Sequence, residues 1–373
     1  MKHVIHKYMD EPDLRPLKVL MWYSGSFPVS VISMHSFSLP KMLWPNATFY
    51  IRCSKSRKTI DYIKKVMSGA KQIILIEDNL PPWKMNFDKY DVIYNYDYFF
   101  RWIGLKKYRD SRDYSEINYL IYRVNKPIYL LYCDKEVFHK VENTPVFCKD
   151  GYPWLKYCDE RKDFSNIHIL FNQDICKDWA VECIDWKSFE NAEKMFEIIY
   201  LNMRLYYQLP NDYKAKKFSD NKVGCYFGTF FEKRARFFNT VMNTPGKKLV
   251  NLEIGGRTVC KVKNSKYYSE NCIETFQHEE IFNVLKPYDW ALFIGRVTPL
   301  DYLGMTFYLP FVAGMPVFCL RTCFEGVGNP FEGIDCFFST EEELADLVNK
   351  TDLNELFVLQ TERLKQLYSH DKL

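Results

Sequence analysis

At 373 residues the chain exceeds one ordinary hydrophobic core and fits two domains. With 47% hydrophobic and 26% charged residues it has a globular composition, and it contains no run of about eighteen apolar residues that would cross a membrane as a helix. The net charge of +4 admits a polyanionic partner without requiring one, so a case for nucleic acid rests on where the charges lie.

Twelve cysteines stand at irregular spacing, and no apolar signal segment follows the charged, proline-containing start from Met1 to Pro16. This pattern reads as reduced thiols in a cytosolic protein. Cys319 and Cys323, the closest pair, have no second pair or histidine cluster at zinc-site spacing, so no structural zinc is expected.

In chain order, Leu17 to Tyr23 reads as an apolar strand leading into the loop Ser24-Gly25-Ser26. Thr48 to Cys53 reads as a second strand, Thr59 to Met67 as an amphipathic helix, and Gln72 to Ile76 and Asp91 to Asn95 as further strands. Tyr96, Tyr98, Phe99, Phe100 and Trp102 then run into Arg101, Lys106, Lys107, Arg109 and Arg112, five cations against the single acid Asp110. Aromatics beside cations suit a surface that holds phosphates while stacking on bases. A solvated helix face beside core aromatics has the same composition.

Ile128 to Cys133 is an unbroken apolar and aromatic run, as in a strand covered on both faces, and it ends abruptly in Asp134, Lys135 and Glu136. Ligands of open α/β sheets collect beyond the carboxyl ends of the strands, so Asp134 stands where a working acid belongs. Its plainer role is to cap a following helix. Asp134 and Glu136 are the only local carboxylates placed to hold Mg2+ or Mn2+, and acids two apart in a loop more often form a solvated turn.

A loop-rich segment from Glu136 to Asp163 precedes Ile167 to Phe171, a strand read as opening the second half. Phe189 to Tyr207 has a helical pattern, and Leu209 to Asp220 reads as an exposed connection. Val223 to Arg236 reads as strand, glycine turn at Gly228-Thr229, and helix, whose first amides suit a diphosphate. Many strand-to-helix turns carry such a glycine for steric reasons alone. Further strands are expected at Leu249 to Ile254, Asp289 to Gly295 and Ala313 to Leu320, with short helices at Glu279 to Leu285 and around Pro310. Ser339 or Thr340 caps a helix opening with Glu341 to Glu343, and a last helix spans about Leu353 to Tyr368.

The β-α alternation in both halves fits two Rossmann-like domains facing each other across a cleft. Ile128 to Asp134, Tyr152-Pro153-Trp154, Tyr226 to Phe230, Ala291 to Gly295 and Glu341 to Val348 carry a collinear likeness. Through these segments the chain resembles the DNA β-glucosyltransferases of T-even bacteriophages, inverting enzymes of the GT-B fold that move glucose from UDP-glucose onto 5-hydroxymethylcytosine in duplex DNA.

The resemblance implies an acceptor and DNA-binding domain over 1–168, rejoined by a C-terminal helix over 353–373, and a nucleotide-sugar domain over 169–352. It makes Asp134 the general base. It assigns Gly228, Thr229, Phe230, Arg234, Arg236, Gly295 and Arg296 to a UDP-sugar donor, UDP-glucose or a related one. Arg101, Trp102, Lys106, Lys107, Arg109 and Arg112 fall where the family contacts DNA. It further implies a monomer in the host cytoplasm with no membrane partner, and it leaves open whether Mg2+ or Mn2+ assists.

The departures are specific. Arg296 replaces a family acid, and Phe307 and Pro310 occupy the register of the arginine and glutamate that hold the ribose. Arg234 and Arg236 are shifted in register, and Val29 to Trp44 lacks the second acid expected in the first lobe. Three readings therefore stand: an active enzyme with another sugar or base, a DNA-binding protein with a decayed donor site, and a glycosyltransferase for a small molecule or surface polysaccharide.

Overall fold

The computed structural model describes residues 4–22, 39–53, 60–61, 63–64, 67–77, 80–95, 112–131, 161–172, 192–194, 196–202, 204–205, 210, 212–220, 222–227, 249–252, 272–273, 285–294, 305–324 and 329–368. The chain divides into two compact units, one reaching to Gln208 and the other running from Leu209 to Leu373.

The first unit is built on eight strands: β1 (Ile5–Met9), β2 (Lys18–Trp22), β3 (Thr48–Cys53), β4 (Gln72–Glu77), β5 (Val92–Asn95), β6 (Ile128–Leu131), β7 (Ile167–Asn172) and β8 (Glu197–Leu201). Their order is β1-β8-β7-β6-β5-β2-β3-β4, and every pairing is parallel. Parallel strands covered on both faces are uniformly apolar, and Val19 to Trp22, Val92 to Tyr94 and Ile198 to Leu201 are all buried. Counted from β2, the sheet has the doubly wound order 3-2-1-4-5-6, extended by β8 and β1. The order reverses between β2 and β5.

The second unit repeats that order. Strands β9 (Gly224–Phe227), β10 (Leu249–Leu252), β11 (Cys272–Ile273), β12 (Trp290–Phe293), β13 (Val317–Leu320) and β14 (Phe337–Phe338) form a parallel sheet β11-β10-β9-β12-β13-β14. Its reversal lies between β9 and β12.

Four helices carry much of the described packing: α1 (Arg112–Arg123), α2 (Met305–Val312), α3 (Glu341–Lys350) and α4 (Leu353–Tyr368). α3 begins as its sequence requires. Thr340 Oγ1 accepts the Glu343 amide at 3.2 Å, and the Glu343 carboxylate accepts the Ser339 amide at 2.6 Å. At the other end the Lys222 ammonium donates to the carbonyls of Val348, Asn349 and Thr351 at 3.0, 3.2 and 2.7 Å. α4 buries Leu353, Leu356, Phe357, Gln360, Thr361 and Leu364, the stripe of an amphipathic helix.

Three expectations are corrected. Residues 167–201 do not open the second domain, because β7 pairs with β6 on one side and β8 on the other, so the boundary falls after Gln208. Phe189 to Tyr207 contains the buried strand β8, since Ile198 to Leu201 is an apolar run whose helical spacing was set by its flanks. The start of the chain, read only as charged, supplies β1. As for 353–373, α4 is grouped with the second unit, where Gln360 bonds Val317, Arg363 donates to the Pro330 carbonyl and Lys365 meets Asp212.

Candidate functional site

Beyond the carboxyl ends of strands at an order reversal, two loops diverge and leave a crevice for a ligand. In the second unit that place is bounded by Phe227 at the end of β9 and by Phe293 and Ile294 at the end of β12. The chain continues from these ends into Gly228-Thr229-Phe230 and Gly295-Arg296. Gly224 lets β9 approach β12 closely, with the Trp290 indole lying against it.

The flank of this end is aromatic. Phe307 of α2 meets Phe293 edge-on at 5.1 Å, stacks on Phe331 at 5.4 Å and touches Phe311 at 5.6 Å. Phe307 is fully buried and Pro310 lies inside α2, so neither position offers a ribose a polar partner. On the neighbouring strand Arg321 follows β13 and donates to the Phe337 carbonyl at 3.2 Å and to Ser339 Oγ at 3.3 Å.

The connection into β9 is held by polar bonds. Asp289 accepts from the Ser219 amide at 2.8 Å, the Ser219 hydroxyl at 2.5 Å and the Val223 amide at 2.8 Å. Lys216 donates to the carbonyls of Lys286 and Tyr288, and burial lowers its pKa from the ordinary lysine value. These bonds fix where β9 starts.

In the first unit the reversal is bounded by Trp22 of β2 and Asn95 of β5, both fully buried. Arg52, near the end of β3, lies over the Trp22 indole at 4.2 Å and pairs with Glu116 of α1 at 3.2 Å. A cation inside the apolar run Thr48 to Cys53 is the sequence signal for this cluster.

A second polar row crosses the same sheet. The strand registers align Tyr94, Tyr129, His168 and Glu197 across β5, β6, β7 and β8. His168 stacks on Tyr129 at 4.5 Å and pairs with Glu197, which also holds Lys7 of β1. Burial lowers the His168 pKa, with Glu197 opposing, and pushes the Tyr129 hydroxyl up to about 12. His168 and Glu197 stand at the amino ends of their strands, away from the ligand-facing edge.

Asp134, Gly228, Thr229, Phe230, Arg234, Arg236, Gly295 and Arg296 lie outside the described residues, as do Arg101, Trp102, Lys106, Lys107 and Arg109. Arg112 is the first residue of α1. Among the described residues no group of three His, Cys, Asp or Glu side chains could hold a metal ion, and no helix is long and apolar enough to cross a membrane.

No family model and no curated protein matches the chain by sequence. Solved structures do match by fold. A DNA-modifying β-glucosyltransferase, solved in the presence and absence of uridine diphosphoglucose, is 12% identical, with 95% of each chain covered and a TM-score of 0.52. T4 phage BGT in complex with UDP and Mn2+ is 13% identical over 98% of this chain and 95% of that one, at a TM-score of 0.51. A variant of T4 phage BGT with UDP-glucose gives the same identity, coverage and TM-score. The chain therefore has the two-domain Rossmann-like fold of the GT-B glycosyltransferases.

Proposed function

We propose that the chain is a nucleotide-sugar-dependent glycosyltransferase acting on duplex DNA, which moves a sugar from UDP-glucose or a related UDP-sugar to the hydroxymethyl group of a modified pyrimidine, with 5-hydroxymethylcytosine as the first acceptor to test. The observation that carries this reading is the second sheet's order reversal between β9 and β12, whose strands lead into the two glycine-containing segments assigned to the donor. The likeness in fold to a DNA-modifying β-glucosyltransferase supports the same class.

In this mechanism the acceptor oxygen attacks the anomeric carbon as its proton passes to the Asp134 carboxylate. The bond from that carbon to the diphosphate breaks in the same step, and UDP departs. A single in-line displacement inverts the anomeric centre. Amides at Gly228 and the cations Arg234, Arg236 and Arg296 meet the charge that develops on the leaving diphosphate. An apolar, partly closed crevice raises the basicity of a carboxylate and so suits Asp134 to the proton transfer. The modified base leaves the duplex stack to reach the crevice, and an aromatic such as Trp102 fills the gap it leaves. Chemistry at the diphosphate is assigned to these residues.

The buried Phe307 and the helical Pro310 favour a second reading, a DNA-binding protein on this scaffold without transfer. Mass spectrometry of nucleosides decides between them, after duplex DNA containing 5-hydroxymethylcytosine or 5-hydroxymethyluracil is incubated with the protein and a panel of nucleotide sugars. A hexose or pentose mass on one base supports transfer and identifies donor and acceptor together. DNA binding with no addition from any donor supports the second reading. Donor hydrolysis or transfer without DNA binding points to a non-DNA acceptor.

A further inference from the structure

We infer that the buried ion pair between Arg52 and Glu116 fixes the register of the amino half of α1 and thereby places the helix start at Arg112, where the basic stretch of the sequence ends. The inference rests on the proposed DNA reading for what that stretch contacts, and on the described residues for the pair itself.

The guanidinium joins three parts of the first unit. Its Nη2 lies 3.3 and 3.2 Å from the two carboxylate oxygens of Glu116 and 3.4 Å from the Leu80 carbonyl, and its plane covers the Trp22 indole at 4.2 Å. β2, β3, the segment after β4 and α1 therefore meet at one side chain. Both partners are withdrawn from water, Arg52 at 2% and Glu116 at 0% side-chain exposure. Such a pair is a poor way to gain stability, because desolvating two charges offsets most of their attraction and well-packed apolar residues of similar volume often do as well. Directionality is what apolar packing lacks.

The carboxyl half of α1 is held by hydrogen bonds at its end and by apolar packing. Its carboxyl end is closed by Arg161, which donates to the carbonyls of Ile121 and Val124, and by Asn166, which donates to those of Val124 and Lys126 at 3.1 and 2.6 Å. Tyr119 meets Trp83 edge-on at 6.0 Å, and Leu120, Ile121 and Val124 enter the core. An apolar stripe tolerates a small rotation or slide of the helix. The carboxylate of Glu116 does not, since one residue of helical rotation, about 100°, would carry it away from the guanidinium. Glu116 stands one turn after Arg112, the first residue of α1, so the pair fixes where the helix start lies against the sheet. Arg52 and Glu116 are positioning residues in this account, and neither touches the acceptor.

The test is the double variant Arg52→Met/Glu116→Leu in the full chain, compared with the wild type by thermal unfolding, amide exchange and binding of a duplex DNA oligonucleotide. The expected result is a melting midpoint close to the wild type, amide exchange at residues 116–120 faster by about tenfold, and DNA affinity weaker by about tenfold with UDP affinity unchanged. Unchanged exchange in α1 of the folded double variant overturns the inference. Faster exchange with no DNA binding by the wild type supports the register role and sinks the DNA surface instead. If the double variant does not fold, Glu116→Gln keeps the shape and removes the charge; faster α1 exchange there supports the inference, and unchanged exchange overturns it.

Discussion

Gly224 and Trp290 compete for one space: a Cβ added at Gly224 would meet the indole ring at 2.2 Å. The ring cannot easily retreat, because its Nε1 donates to the Lys222 carbonyl at 2.7 Å and its edge abuts Phe318 at 5.3 Å. Gly224→Ala is expected to destabilise the second unit by about 1–3 kcal/mol through overpacking. Denaturant unfolding followed by tryptophan fluorescence would show it, and an unshifted midpoint would mean that β9 gives way freely.

β14 pairs only with Cys319 and Leu320, which leaves the first residue of β13 without a strand on that side. The Gln360 side chain takes the strand's place, its Oε1 accepting the Val317 amide at 2.9 Å and its Nε2 donating to the Val317 carbonyl at 2.7 Å. Gln360→Leu leaves two buried backbone groups unpaired and is expected to cost about 1–3 kcal/mol. Exchange of the Val317 amide should accelerate in the same variant, and a protected amide there would refute this assignment.

His168 faces Glu197 on β8, Lys7 on β1 and Tyr129 on β6. Burial holds its folded pKa below the ordinary value of 6.5, so as pH falls the unfolded chain binds the proton first. The stability that neutral His168 contributes is complete above that ordinary value and is lost as pH falls through the folded pKa. His168→Gln should flatten the fall in unfolding midpoint on the acid side of 6.5. An identical pH slope in the variant would assign that acid sensitivity to other groups.

Asp134→Asn keeps the size of the side chain and removes its capacity to take a proton. Transfer in a single-turnover assay is expected to fall at least about a hundredfold, in line with the usual worth of a general base, while UDP-sugar affinity stays near the wild type. Full activity in the variant would remove Asp134 from the mechanism.

If Arg101, Lys106, Lys107, Arg109 and Arg112 contact phosphates, the affinity for duplex DNA falls linearly in log–log terms with salt. Replacing Lys106, Lys107 and Arg109 by Gln should weaken binding and reduce that slope together. An affinity indifferent to salt would contradict the surface.

What was legible in the sequence was what local chemistry decides. Thr340 and Glu343 announce the start of α3, Asp352 accepts the Asn354 and Glu355 amides at the start of α4, and β3 has the limits of its apolar run. β1 and β8 were hidden for opposite reasons. Ile5 to Met9 lies at the sheet edge, so Ile5 and Tyr8 are exposed and the strand carries no apolar pattern. β8 is apolar, but Phe196 and Leu205 on either side gave it a helical rhythm, and only its pairing with β7 makes it a strand. At the candidate site the strand ends were legible from their runs. The Arg52–Glu116 pair was not, because residues sixty-four apart in sequence meet only through the packing of α1 on the sheet.

The parallel seam between β1 and β8 also dictates an order of events during synthesis. Ile5 to Met9 leaves the ribosome before the other strands of its sheet, yet its partners Glu197 to Leu201 emerge only after all of them. The nascent chain therefore carries an unmatched strand through most of the making of the first unit, and domains form as units once their last element is available. Lys7 and His6 give that strand polar side chains, which meet Glu197 and the Tyr200 hydroxyl once β8 is in place. The first unit is thus closed by its oldest residues, and a nascent chain halted before Leu201 holds a sheet with its final seam open.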